Sequence, residues 1–183
     1  GGGWAVNVVA QLKKSGFDGD IWPVNPKRAD ILGVPCLASI DDLPSAPDAS
    51  FIGVNRDATI EVVGRLSAMG AGGATCFASG FLESESETAG GADLQARLIA
   101  AAGDMPILGP NCYGLINYLD NVTLWPDQHG GLAVDSGVAI VAQSSNIAIN
   151  MTMQARGLPI AYVIAAGNQA QTGASGIAAS LLD

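Results

Sequence analysis

Short apolar runs alternate with amphipathic stretches along most of the chain. Trp4, Val8 and Leu12 recur at helical spacing, Lys13 and Lys14 follow, and Gly16 is a stop signal, so a helix is predicted from Trp4. Ile21-Trp22-Pro23-Val24-Asn25 reads as a strand ending in Pro26-Lys27-Arg28, although Pro23 suits the centre of a sheet badly. Asp41 to Pro47 is turn-rich, and Phe51-Ile52-Gly53-Val54 is the next strand. Arg56 then opens a helix that carries Ile60, Val63, Leu66 and Met69 on one face. Gly73 to Ala78 returns as a strand, Ser79-Gly80-Phe81 turns, and Ser84-Glu85-Ser86-Glu87 reads as a charged, solvated run. Leu94, Leu98 and Ala102 mark a further helix, and Ile107-Leu108 a short strand. Gly109-Pro110-Asn111 breaks the pattern, because proline lacks an N–H and restricts the residue before it.

After a polar connection from Asn121 to Ser136, the alternation restarts. Gly137-Val138-Ala139-Ile140-Val141-Ala142 is the cleanest buried strand, and it runs into Gln143-Ser144-Ser145-Asn146 and a helix with Ile147, Met151 and Ala155. Ile160 to Ala165 is another strand, followed by Gly167-Asn168 and a last helix from about Ala174. Strands without polar alternation, spaced by helices, indicate an α/β fold with a parallel sheet covered on both faces. Two α/β units are expected, meeting at the Gly-Pro-Asn turn.

Composition narrows the function classes. A net charge of −9 over 183 residues argues against nucleic acid, which calls for a basic stripe. No run approaches the ~20 apolar residues that cross a bilayer. Cys36, Cys76 and Cys112 are odd in number and form no CxxC pair, which favours a reducing cytoplasm over a disulfide framework. With no initiator Met and no signal peptide, the start at Gly1-Gly2-Gly3 is read as a cut inside a longer protein, with one strand missing before it.

Ligands of doubly wound sheets bind beyond the carboxyl ends of the strands. There the sequence puts Lys27, Arg28, Asn55, Arg56, Ser79, Gly80 and Asn111. A glycine cluster entering a helix offers bare N–H groups to a phosphate, although three glycines equally suit a frayed terminus. NAD-binding folds put an acid at the end of the second strand, whereas Asn25-Pro26-Lys27-Arg28 is basic there. A basic end suits a ribose that carries a phosphate, as in coenzyme A or NADP, and it equally suits a solvated turn. Ser144, Ser145 and Asn146 stand where a buried strand becomes a helix; by themselves they are expected to supply an ordinary N-cap, and an anion site is the alternative. His129, the only histidine, reads as a solvated loop residue; Cys112 has no paired histidine, and no metal-ligand cluster is present.

Five stretches together resemble the NDP-forming acyl-CoA synthetase superfamily, which includes the succinyl-CoA synthetase α subunit and the ADP-forming acetyl-CoA synthetases. They are Pro23-Val24-Asn25-Pro26-Lys27, Ser79-Gly80-Phe81 with Glu83, Gly109-Pro110-Asn111-Cys112-Tyr113-Gly114, Gln143-Ser144-Ser145, and Gly167-Asn168. The resemblance implies a Rossmann-like CoA-binding domain over residues 1–122, a linker over 123–136, and the start of a flavodoxin-like ligase domain over 137–183. It implies that coenzyme A lies on Gly2, Gly3 and Trp4, on Val54, Asn55 and Arg56, on Phe77, Ala78 and Ser79, and on Asn111, with Lys27 holding the nucleotide end. Family members pass phosphate through a histidine and an acyl phosphate to the thioester, and Ser144, Ser145 and Asn146 match the cradle of that phosphohistidine. Ala142-Gln143-Ser144-Ser145 stands where the family usually has Ser-x-Ser-Gly. The catalytic histidine is expected beyond Asp183, so this stretch alone is expected to be inactive, and His129 does not match it. ATP or ADP with Mg, an ATP-grasp domain or subunit, a small carboxylic acid and an oligomer are implied for the whole enzyme. A regulatory CoA-binding module of a protein lysine acetyltransferase is the alternative, and an NADP-binding oxidoreductase domain a weaker one.

Overall fold

A computed structural model describes residues 3–86 and 90–181. Gly2 and Glu87, both singled out above, lie outside the described residues. In chain order the elements are α1 (Gly3–Ser15), β1 (Asp30–Ile31), β2 (Val34–Pro35), β3 (Ser50–Ile52), α2 (Arg56–Ala68), β4 (Ala74–Cys76), α3 (Gly91–Ala102) and β5 (Ile107–Leu108). Then follow β6 (Gly114–Asn117), β7 (Val122–Leu124), β8 (Val138–Ala142), α4 (Ser145–Thr152), β9 (Ile160–Ala165) and α5 (Ala174–Ser180). Single 3₁₀ turns occupy Ile40–Asp42 and Leu82–Ser84.

Strands β3, β4 and β5 form a parallel sheet in that order, with Ser50 opposite Ala74 and Ala74 opposite Ile107. The stripes on α2 and α3 that the spacing predicts are buried against it: Val63, Leu66, Leu98 and Ala102 share a core with Ile52, Cys76 and Ile107. Helix α1 buries Val8 and Leu12 against Leu124 of β7. It ends where Gly16, at φ +78°, lets the Phe17 N–H reach back to the Leu12 carbonyl at 3.1 Å.

The second sheet runs β7-β6-β9-β8. Strands β8 and β9 are parallel, while β6 is antiparallel to both β7 and β9. Its core is Ile116, Trp125, Ile140, Val163 and Ala148 of α4. Gly114 ties the two sheets together. Its φ is +112°, and a Cβ there would lie 2.4 Å from the Leu124 carbonyl oxygen and 2.9 Å from Thr75 of β4, so only glycine lets β6 pass this close.

The structure departs from the expected elements in three places. Residues 21–25 form no strand of a sheet; Val24 makes one parallel bridge to Leu37, and Pro23 has no N–H to continue the ladder. Strand β7 falls inside the stretch expected to be a connection, and β6 was not expected. Asn117 accepts the N–H groups of Leu119 and Asp120, and Asn121 adopts φ +58°, which makes the turn between them. The hydrogen bonding of the second sheet therefore joins 114–124 to 138–165, across residues expected to link two domains. Third, Glu85 is not only solvated, because its carboxylate accepts the N–H groups of Gly90 and Ala92 at 3.3 and 2.8 Å and so caps α3. Those bonds, Ala92 first, hold its carboxyl below the usual glutamate range.

Candidate functional site at the strand ends

The carboxyl ends of β3, β4 and β5 carry Val54–Arg56, Phe77–Ser79 and Gly109–Asn111, and the fold gathers most of the expected residues there. Asn55 caps α2 by accepting the Ala58 N–H at 3.0 Å. Arg56 donates from its guanidinium to the Gly80 carbonyl at 2.9 Å, and Glu83 accepts the Gly80 N–H at 2.7 Å. Asn111, exposed and at φ +57°, donates its N–H to the Ala78 carbonyl at 2.9 Å. The start of α1 lies against the same ends. The Trp4 and Phe77 ring centroids are 5.2 Å apart, and a Cβ on Gly53 would sit 3.5 Å from that of Ala5. Lys27 stands apart from this group. Its N–H is held by Asn25 Oδ1 at 2.9 Å, and among the described residues neither the Lys27 ammonium nor the Arg28 guanidinium makes an ion pair, both residues being exposed.

The second unit brings its own strand ends to the same place. Ser144 is the N-cap of α4, yet its hydroxyl makes no capping bond, so the expectation of an ordinary side-chain cap is corrected. Ser145 Oγ instead accepts the Tyr113 N–H at 3.3 Å, which fixes the first turn of α4 against the end of the Gly-Pro-Asn turn. Asn146 is exposed, and its carbonyl accepts the Asn150 side chain. The segment after β9 clamps the turn from the other side, with the Asn168 and Ala170 N–H groups donating to the Pro110 and Gly109 carbonyls at 2.9 Å each. Gly167, at φ +57°, has no room for a side chain, because a Cβ would lie 2.5 Å from the Pro110 carbonyl oxygen. The Asn168 side chain also donates to the Glu83 carboxylate across 85 residues of sequence. Nothing local announces that pairing, so sequence reasoning did not find it.

Cys76 and Cys112 are buried, and burial pushes the Cys76 thiol up to about 12 and the Cys112 thiol higher still, which disfavours the thiolate form of both. His129 is not simply solvated, since it is half-buried with Nδ1 3.0 Å from the Tyr118 hydroxyl. Among the described residues no group of three His, Cys, Asp or Glu side chains is placed to hold a metal, and no helix is long and apolar enough to cross a membrane.

A family profile described as a CoA binding domain matches residues 2–118. A trans-feruloyl-CoA synthase from an unknown prokaryotic organism is 31% identical across 100% of this chain, which spans 26% of that protein. An ADP-forming acetate–CoA ligase II of Archaeoglobus fulgidus is 38% identical over 61% of this chain and 16% of its own length. Among solved structures, PH0766 from Pyrococcus horikoshii OT3 superposes with a TM-score of 0.85 at 22% identity, covering 97% of this chain and 40% of that one. A dinucleotide-forming acetyl-coenzyme A synthetase 1 of Ca. Korarchaeum cryptofilum gives 0.80 at 24% identity, over 93% of this chain and 37% of its own. These last two establish likeness of fold.

Proposed function

Because the chain belongs to the CoA binding domain family, we propose that its first unit binds coenzyme A at the strand ends that gather α1, Val54–Arg56, Phe77–Ser79 and Asn111. The observation that carries this reading is the open first turn of α1 beside those ends. Among the described residues, a Cβ on Gly3 would meet no atom within 4 Å, which leaves room at the start of α1 for a diphosphate to approach the N–H groups of its first turn. Gly2 and Gly3 would supply bare backbone and Trp4 one wall of the site. Lys27, exposed and in no ion pair among the described residues, would hold the phosphate on the ribose. The domain boundaries proposed are 1–122 for this unit, 123–136 for the linker and 137–183 for the second unit, with β6 and β7 reaching across the first boundary to pair in the second sheet.

The chain spans about a quarter of the first relative's length. For the whole protein the reading is an acid–thiol ligase, which joins a carboxylic acid to the CoA thiol while ATP is converted to ADP and phosphate. Names of relatives such as acetate–CoA ligase [ADP-forming] and trans-feruloyl-CoA synthase support it. Ser144, Ser145 and Asn146 would receive phosphate. The lack of a side-chain cap from Ser144 on α4 among the described residues favours an anion there. The histidine would come from beyond Asp183, the ATP-grasp part from a fused domain or a separate subunit, and ATP or ADP would bind there with Mg; the whole enzyme would be an oligomer in the cytoplasm.

Calorimetric titration of the full-length protein with CoA, dephospho-CoA and NADP tests the reading. CoA is expected to bind in preference to NADP. Lys27→Ala is expected to weaken CoA by roughly tenfold or more, the worth of a hydrogen bond to a charged group, and dephospho-CoA less. Tight NADP binding with no response to CoA would sink it.

A further inference from the structure

One carboxylate touches both units where they meet around the Gly-Pro-Asn turn. Glu83 accepts the Gly80 N–H on Oε1 at 2.7 Å and the Asn168 side-chain amide on Oε2. The Gly80 residue is gripped on its other side as well, because Arg56 Nη1 donates to its carbonyl at 2.9 Å. Asn168 is likewise held at two points, by Glu83 and by the Pro110 carbonyl that its N–H reaches at 2.9 Å. Asn111, which follows Pro110, donates its N–H to the Ala78 carbonyl at 2.9 Å. These bonds close a ring from Arg56 through Gly80, Glu83, Asn168 and the Pro-Asn turn back to the end of β4. On the second unit's side the ring reaches the start of α4. Gln143, immediately before Ser144, donates from Nε2 to the Gly167 carbonyl at 3.5 Å.

Charge alone makes this a poor place for a carboxylate. A ligand with several phosphates is assigned to the neighbouring Arg56 and Ser79, and a like charge beside them lowers its affinity. Holding the units together does not require Glu83 either, since the backbone bonds of Asn168 and Ala170 to Pro110 and Gly109 already do so. What the side chain adds is a fixed relation between the turn that carries Ser79 and the turn that carries Asn168.

We propose that Glu83 is a positioning residue for the CoA site. Through Gly80 it sets the turn that presents Arg56 and Ser79 to the ligand, and through Asn168 it keeps that turn in register with the second unit. The proposal rests on the CoA reading above.

The test is calorimetric titration of CoA into the full-length protein, native and as Glu83→Ala, Glu83→Gln, Asn168→Asp and the exchanged pair Glu83→Gln/Asn168→Asp. Each is titrated well below its own thermal midpoint, so that all of it is folded. Positioning and repulsion predict opposite signs. Glu83→Ala is expected to weaken CoA about tenfold, the worth of a hydrogen bond to a charged group, whereas a carboxylate that only repels phosphate would give tighter binding on removal. Glu83→Gln keeps an acceptor for Gly80 and an amide that pairs with Asn168, so it is expected to bind CoA much as the native protein does. Asn168→Asp sets two carboxylates against each other and is expected to weaken CoA. The exchanged pair, with amide and carboxylate swapped, is expected to recover most of that loss. Binding unchanged or tightened in Glu83→Ala overturns the proposal and leaves the CoA site intact. Glu83→Gln as weak as Glu83→Ala also overturns it, since charge and not pairing would then matter. No loss in Asn168→Asp, or no recovery in the exchanged pair, confines Glu83 to its own turn and overturns the link to the second unit. A native protein that gives no response to CoA sinks the CoA reading and the proposal together.

Discussion

His129 owes its behaviour to the groups packed around its ring. Its loop is pinned on three sides. Gln11 donates to the Asp127 carbonyl at 2.7 Å, the Gly130 N–H donates to Thr152 Oγ1 at 3.1 Å, and a Cβ on Gly131 would fall 2.2 Å from the Tyr118 ring. Burial pushes the imidazole below its ordinary value of 6.5, and the nearby Lys14 charge acts the same way. Burial also pushes the Tyr118 phenol up to about 12, and its hydroxyl lies 3.0 Å from Nδ1 in a hydrogen bond whose donor is set by the ring's tautomer. The unfolded chain therefore binds a proton at His129 more readily than the folded one, and stability rises with pH between the two values. This contribution is complete above about 6.5 and is lost as the pH falls through that value toward the lower folded one. Urea denaturation across this range is expected to show the slope in the native protein and a flatter profile in His129→Gln. Equal slopes would mean that the ring is not held neutral.

At the scale of elements, α2 is a helix whose stripe and start were both legible in the sequence. Asn55 was expected to line a ligand, and its geometry is that of a cap, with extended backbone and a side chain on the Ala58 N–H. Asn55→Ala is expected to cost about 0.5–2 kcal/mol of folding free energy in chemical denaturation, while Asn55→Asp, an equally good cap, retains it. The Asp variant separates two roles. Unchanged stability with weaker CoA binding means that Asn55 also faces the ligand, and unchanged binding leaves it a cap alone. Periods of 3.6 residues made α2 and α3 readable because both bury one continuous stripe. Two-to-four-residue strands carry no such period. Ile21–Asn25 has β-forming residues and no ladder, whereas Gly114–Asn117 has a ladder and only four residues to announce it. Glu85 caps a helix that begins six residues later, outside the spacing of a capping box, so only its charge was visible.

For the molecule as a whole, the important contacts join residues far apart in sequence, which is why the joint between the two units was read as a turn and not as a packed interface. The Gly-Pro-Asn turn was legible as the meeting point, but its partners Ser145, Asn168 and Ala170 were not, since long-range pairing leaves no local pattern. Strand β6 belongs to both halves. It pairs with β9 over four residues, and its first residue, Gly114, packs on Thr75 of the first sheet. Leu124 of the neighbouring β7 completes the cluster that buries α1. Removing the first unit would uncover one side of this hairpin, and removing the second would take away its β9 partner. The described residues are thus expected to unfold in one cooperative step. Far-ultraviolet circular dichroism follows the helices of both units, while near-ultraviolet signals follow Tyr113 and Trp125 at the joint. The two thermal transitions are expected to coincide. Glu83→Ala, which removes the bond to Asn168, is expected to lower the shared midpoint without splitting it, since the backbone clamp on Gly109 and Pro110 remains. Two separate transitions in the native protein would show that β6 does not couple the sheets, and that each unit folds on its own.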